Sequence, residues 1–226
     1  MRHLKILGIA LGAMFALGIT ATSAFALPDI SLLPGESFPL HLNFADNGET
    51  VSSLETTGGA KLESKSGLLL LLLVEELGSL GTFDALFLKV KEGNTECHTT
   101  GDSAGTVLLT GTFHVVLGPP AGALRVLFLV EEFEIVCGEV KVKVKGSVLS
   151  TLEAGKESED LTQASGELKG KNGKPTLTEY YNDNGETVKA KLEANFGSGF
   201  QEADENVGEK VTLKALEGKM FVITGR

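Results

Sequence analysis

The chain holds no tryptophan, two tyrosines, two cysteines and four histidines in 226 residues, and its 20 basic side chains are outnumbered by 30 acidic ones. Each shortage removes a class of function. A carbohydrate platform needs exposed rings, yet Tyr180 and Tyr181 are adjacent, and adjacent side chains on a strand point to opposite faces, which leaves one ring at most. The same lack removes the aromatic girdles of an outer-membrane barrel. With the leader described below set aside, His41, His98 and His114 remain, 57 and 16 residues apart and without an H-x-E or H-E-x-x-H pairing, so neither a metal nor a cofactor is expected. A net charge of −10 works against nucleic acid, whose binders gain affinity by neutralising phosphates. Beyond the leader the longest apolar run is Leu68–Val74, short of the roughly 20 residues of a helical span, so no stable membrane span is expected in the processed chain.

What is present begins with an export signal. Arg2 and Lys5 flank the apolar run "ILGIALGAMFALGI", and small residues end in Ala24-Phe25-Ala26, so residues 1–26 are expected to be a signal peptide cleaved after Ala26 and the product to be secreted. Cleavage would leave 200 residues, enough for one substantial domain, with 18 basic and 30 acidic side chains and a net charge of −12. Cys97 and Cys137 would then meet an oxidising environment. A single disulfide is the simplest reading, with two buried free thiols as the alternative; closing the 97–137 loop stabilises by about 4 kcal/mol in the chain-entropy account.

Residues 27–39 contain three prolines and read as an irregular lead-in to a single β-rich domain over 40–226, which a long polar connection at 153–175 interrupts, with one short strand in "GELKG". The clearest strand is "GEVKVKVKG" at 138–146, where Val140, Val142 and Val144 alternate with Lys141, Lys143 and Lys145. The preceding "ALRVLFLVEEFEIVC" can pair with it through a turn at Cys137-Gly138. That register sets Glu134 against Lys141, Glu132 against Lys143, Ile135 against Val140 and Phe133 against Val142. The hexapeptide "DNGETV" occurs at 46–51 and again at 183–188. Asn-Gly suits a type I′ hairpin, which needs positive φ at both central residues, so tips are expected at Asn47-Gly48 and Asn184-Gly185, with Phe44 opposite Val51 and Tyr181 opposite Val188. A calcium loop is not expected at these tips; at the second, Tyr180 stands where an acidic or amide oxygen is needed.

The leucine run fits a strand buried on both faces or one side of a core helix; "TVLLTGTFHVVL" at 106–117 reads as a strand with a possible bulge at Gly111; the tail reads as a last hairpin turning at Glu217-Gly218. Short strands with frequent turn signals predict an all-β fold, an antiparallel sandwich or barrel built from hairpins, with little helix beyond the signal peptide.

"GDSAG" at 101–105 differs by one residue from the nucleophile loop of chymotrypsin-like proteases, which makes Asp102 and Ser103, with His98 and His114, the one polar cluster to weigh as catalytic. That fold needs a complete first barrel before its serine, and 76 processed residues precede Ser103, so a polar turn is the better expectation. "GKNGKP" lacks the spacing and the Ser or Thr of a phosphate loop. The runs "ECHTTGDSAGTVLLTGTFHVVL", "LRVLFLVEEFEIVCGEVKVKVKGSVLS" and "KAKLEANFGSGFQEADENVGEKVTL" resemble a family of uncharacterised secreted bacterial proteins. The resemblance implies export and a core around Cys97 and Cys137, and no catalysis. The expected function is therefore that of a secreted, non-enzymatic protein with an extracellular interaction or structural role. A barrel holding an apolar small ligand is the alternative, and a serine hydrolase using the GDSAG loop ranks third.

Overall fold

The structure is a computed structural model that describes residues 28–45, 50–74, 79–153 and 161–224; the expected signal peptide and the expected tip at Asn47-Gly48 lie outside the described residues. Eighteen strands follow in chain order. They are β1 (Asp29–Leu32), β2 (Leu40–Ala45), β3 (Ser52–Thr56), β4 (Lys61–Val74), β5 (Leu80–Glu92), β6 (Thr95–Thr99), β7 (Thr106–Gly118), β8 (Ala123–Cys137) and β9 (Val140–Thr151). The second half supplies β10 (Gln163–Gly166), β11 (Gly170–Lys171), β12 (Lys174–Pro175), β13 (Glu179–Tyr181), β14 (Thr187–Lys189), β15 (Leu192–Asn195), β16 (Gln201–Val207), β17 (Val211–Ala215) and β18 (Phe221–Thr224). The all-β expectation holds, and of sandwich and barrel the chain forms the barrel. An antiparallel circuit runs β3–β4–β5–β7–β8–β9–β15–β16 and returns to β3. Closure of this kind leaves the circuit without a free edge.

Besides the 13-residue β7, which gives way to β6 between β5 and β8, four of the eight strands are long: β4, β5, β8 and β9, at 14, 13, 15 and 12 residues. At about 3.3 Å per residue each serves two stacked tiers. In the first tier the gap between β4 and β9 is filled by β3, β16 and β15. In the second tier β2 takes the other half of β4, β17 pairs with β2, and β10 pairs with β17. The β9 end then meets the β10 segment through a Glu153–Ser165 bridge and a Thr151 N–H to Glu167 carbonyl bond of 3.1 Å. On the opposite wall β6 and β7 divide the space between β5 and β8 in the same way.

The leucine run is a strand with alternating burial. Leu68, Leu70, Leu72 and Val74 face the core, whereas Leu69 is exposed and Leu71 and Leu73 are half-buried, so it is neither buried on both faces nor helical. Gly111 lies in an unbroken ladder and makes no bulge: Gly81 sits opposite Phe113 and Phe83 opposite Gly111. A Cβ on either glycine would run into the facing ring and a strand carbonyl, so the two glycines make room for the two phenylalanines. The lead-in is less irregular than expected, because β1 pairs with β18 and buries Ile30. In the polar connection "GELKG" is not a strand; β10 precedes it and the β11–β12 hairpin follows.

Several expected pairings change. The turn between β8 and β9 is Gly138-Glu139, with Gly138 at φ +63°, so Cys137 lies opposite Val140, Ile135 opposite Val142, Glu134 opposite Lys143 and Phe133 opposite Val144. A shift of two residues keeps every side chain on its expected face. The ion pairs therefore form along the diagonals, Lys141 to Glu134 and Lys143 to Glu132, each at 2.8 Å. Phe44 lies opposite Leu70, because β2 and β3 follow one another along the same edge of β4 and do not pair with each other. The second copy of the hexapeptide is a hairpin one register off, with Tyr180 opposite Val188 and Tyr181 opposite Thr187. Its loop is a three-residue type: the Gly185 N–H bonds the Asn182 carbonyl at 2.8 Å, Asn182 Oδ1 accepts from the N–H groups of Asn184 and Glu186, and Gly185 alone takes positive φ. The type I′ pattern occurs instead at Asn172-Gly173, φ +56° and +74°, between β11 and β12. Glu217-Gly218 does turn the chain with positive φ at both residues, but β17 is held by β2 and β10 while β18 pairs with β1, so no terminal hairpin forms.

Candidate functional site: a cavity at the waist of the barrel

The two tiers meet at a level where the four strands that run through both, β4, β5, β8 and β9, are irregular. In β4 the register with β5 shifts between Ser66 and Leu68, around Gly67 at φ +77°. In β5 Lys89 has φ +53°, and the inward residues pass from Phe87 to Val90. In β8 a bulge between Val130 and Phe133 inserts Glu131 and Glu132, and in β9 Gly146 stands at φ +112° with the Lys191 carbonyl packed against it. Each irregularity bends its strand and interrupts the supply of inward side chains. Because closure puts the four at one height, the interruptions coincide and the interior is not filled there.

The result is a cavity of about 100 Å³. Its wall contains the residues that flank every irregularity: Ser64 and Leu68, Phe87 and Val90, Val130 and Phe133, Val144 and Val148. Leu168 enters from the β10–β11 segment, its carbonyl accepting from the Val207 N–H at 3.1 Å, and so seals the seam between the tiers. Almost all of the surface is hydrocarbon. The exceptions are Ser52, Ser53 and Ser64 and one acid, Glu205 on β16, which shares the inward face with Ala203 and Val207. Glu205 is half-buried and lines the cavity, and burial pushes its carboxyl up to about 8, with the adjacent Asp204 acting in the same direction.

Asp204 points the other way, under the β11–β12 hairpin, where the N–H groups of Gly173 and Lys174 bond it while Oδ2 has no partner among the described residues. Burial raises its pKa first, and Glu55 adds to the shift. Sequence reading missed Glu205 because "FQEADENVGEK" has the composition of a solvated acidic segment. The period-two signal was present all the same, since an acid alternates with Ala203 and Val207 on an apolar face.

The residues singled out from sequence fall elsewhere. Cys97 and Cys137 face each other across β6 and β8 and form the disulfide, with Cα atoms 4.2 Å apart, at the core of the first tier. Asp102 and Ser103 occupy a turn in which the Asp102 N–H bonds the Thr99 carbonyl and the Ser103 hydroxyl pairs with Thr106 Oγ1 at 3.1 Å. His98 lies opposite Val136, its Nδ1 buried and without a partner among the described residues. His114 is eight residues along β7 from Thr106, about 26 Å at strand rise, on the outer face near Asp183; burial lowers its pKa and Asp183 opposes the shift. No histidine hydrogen-bonds Ser103 among the described residues, so the structure does not bring the cluster together. Asn184 and Gly185 lie at the exposed tip of the β13–β14 hairpin, away from the cavity wall. No group of three or more His, Cys, Asp or Glu side chains suited to a metal occurs among the described residues, and no described helix is long and apolar enough to cross a membrane.

Fold and cavity together define a closed antiparallel barrel with an apolar chamber and one acidic wall residue. Compared with known proteins, the chain matches no family model, no curated protein and no solved structure.

Proposed function

We propose that this is an exported, non-enzymatic binding protein that takes a small apolar molecule, or the apolar end of a larger one, into the waist of its barrel. The cavity carries the reading. A void of about 100 Å³ walled by side-chain carbon forgoes roughly 2 kcal/mol of stability through lost packing. An engineered cavity of about 150 Å³ with a similar wall stays dry and takes up benzene. Filling this void would need one larger inward side chain, for example at Ala85, which lines it. This is the barrel with an apolar ligand that the sequence offered second, and the cavity is the reason to prefer it to an extracellular interaction or structural role.

Native mass spectrometry of protein purified from its source is expected to show a co-purifying apolar compound, and added toluene is expected to raise the melting temperature of ligand-free protein. Ala85→Leu should abolish the toluene effect. Toluene stabilising neither form, together with an empty native spectrum, would remove the proposal. N-terminal sequencing of the exported protein tests cleavage after Ala26.

A further inference from the structure

The cavity wall is polar along one strip only. Glu205 on β16 lies directly across from Leu54 on β3, and Val207 directly across from Ser52, which makes Ser52 the diagonal neighbour of Glu205 on the same inward face. Ser52 in turn faces Ser64 on β4. The Ser64 hydroxyl is committed, donating to the Leu88 carbonyl at 2.8 Å. Ser52 is 3 % exposed and lines the cavity, and neither its hydroxyl nor the Glu205 carboxyl hydrogen-bonds any other group among the described residues. Two uncommitted polar groups thus face one apolar chamber, and leaving such a group unpaired in a folded interior costs about 1–3 kcal/mol.

We infer that the chamber selects an uncharged apolar compound carrying one hydrogen-bond acceptor, a ketone or ester carbonyl, which the Glu205 carboxyl and the Ser52 hydroxyl hold together as donors. The inference rests on the binding function proposed above and names its ligand class. Charge decides the class. No basic group among the described residues lines the cavity, so an anionic ligand has no partner among them. Glu55 on β3 and Glu193 on β15 alternate with the inward Leu54 and Leu192 and so face outward, as does Asp204; a basic partner for Glu205 is absent from all three strands' inward faces among the described residues. A cationic amine would bury an ion pair in hydrocarbon, with a desolvation penalty on both partners. A neutral carboxyl avoids that penalty and supplies an O–H donor, as protonated acids in apolar enzyme sites do. The upward displacement of Glu205 to about 8 agrees with the geometry.

Three probes of one size separate the possibilities: cyclohexanone, methylcyclohexane and cyclohexylamine, titrated calorimetrically into the processed protein at pH 6 and pH 9. Cyclohexanone is expected to weaken about tenfold between the two pH values, because about one carboxyl in ten keeps its proton one unit above a pKa of about 8. Glu205→Gln, which keeps a donor, should bind the ketone without pH dependence. Glu205→Leu should lose about tenfold for the ketone and leave methylcyclohexane within a factor of about three. Ketone binding indifferent to both pH and Glu205→Leu, with methylcyclohexane still taken up, would overturn the carbonyl inference and leave the cavity reading standing. Cyclohexylamine that binds more tightly than the ketone and tightens toward pH 9 would overturn it in favour of a cation site. Uptake of none of the three would remove the binding function itself.

Discussion

At the disulfide end of the barrel the interior is built from small aliphatic side chains, Ala194, Ala203, Val142 and Leu62 among them, around the Cys97–Cys137 bond. At the other end it is built from rings. Phe83 and Phe128 meet edge to face with centroids 5.1 Å apart, and Phe113 packs against Phe128 at 6.4 Å. The first tier crosses its gap by a covalent link between adjacent strands; the second reaches inward from three strands with large side chains and sets glycines opposite two of them. The disulfide does not reach the waist, and Phe83 and Phe128 border it without filling it; there the strands bend, and Glu205 is the one ionisable side chain among the described residues of the wall. The difference teaches that closing the hydrogen-bond circuit and filling its interior are separate problems. This chain solves the first along its whole length and the second only at the two ends.

The largest expected effect comes from Glu205. Its pKa is about 8 in the folded chain against an ordinary 4.5. Between those values the unfolded chain gives up a proton that the folded chain keeps, so stability falls as pH rises, from full stability below about 4.5 to a constant deficit above about 8. The integrated loss is of order 5 kcal/mol, and Glu205→Gln should remove that part of the pH dependence. Denaturant melts of both proteins at pH 5 and pH 8 would show it; parallel changes in the two would mean that Glu205 does not sit in a dry wall.

The tiers themselves can be set against each other. Phe128→Ala removes the ring that touches both other rings and should cost about 4 kcal/mol. Replacing both cysteines by alanine should cost about 3 kcal/mol, chiefly by freeing the unfolded chain, because measured disulfide contributions commonly fall below the chain-entropy value of about 4 kcal/mol. Urea melts should place the phenylalanine variant below the cysteine variant. The reverse order would mean that the covalent tier carries the barrel. Gly111→Ala tests the reciprocal packing at a smaller scale, since its methyl group would press on Phe83 and the Leu129 carbonyl; about 2 kcal/mol is expected, and a neutral result would mean that the ladder shifts freely.

How much of this could be read beforehand depended on the range of the physics involved. Period-two patterning is local, so the strands, the inward valines of β9 and the disulfide pairing were legible, and so were the Lys–Glu partners, because a slip of two residues leaves faces unchanged. The cavity was not. Gly67 and Gly146 could be noticed as glycines in strands, but nothing local marks Lys89 or the Glu131-Glu132 bulge, and nothing in one segment reports that four bends share a height after closure. Glu205 was hidden among acidic neighbours for a related reason: its environment is supplied by strands more than fifty residues away in sequence, β3, β4, β8 and β9.

The smallest effect bears on the most local rule. Asn-Gly occurs at 172–173 and at 184–185, and the dipeptide alone does not distinguish them. At 172–173 two flanking residues pair directly, Lys171 with Lys174, and both turn residues must take positive φ. The hairpin is also pressed against β3, with Gly173 packed on the Thr56 and Thr57 backbone. At 184–185 the Asn182 side chain organises a longer loop, so Asn184 keeps an ordinary backbone and contributes only its N–H, which alanine also has. Asn172→Ala should therefore cost about 1 kcal/mol, the penalty for a left-handed residue with a Cβ. Asn184→Ala should stay within about 0.5 kcal/mol, as surface substitutions usually do. Equal losses in thermal melts of the two variants would show that the hairpin packed on β3 and the one with an exposed tip impose the same turn, and that the tertiary contact with β3 does not decide which Asn-Gly becomes type I′.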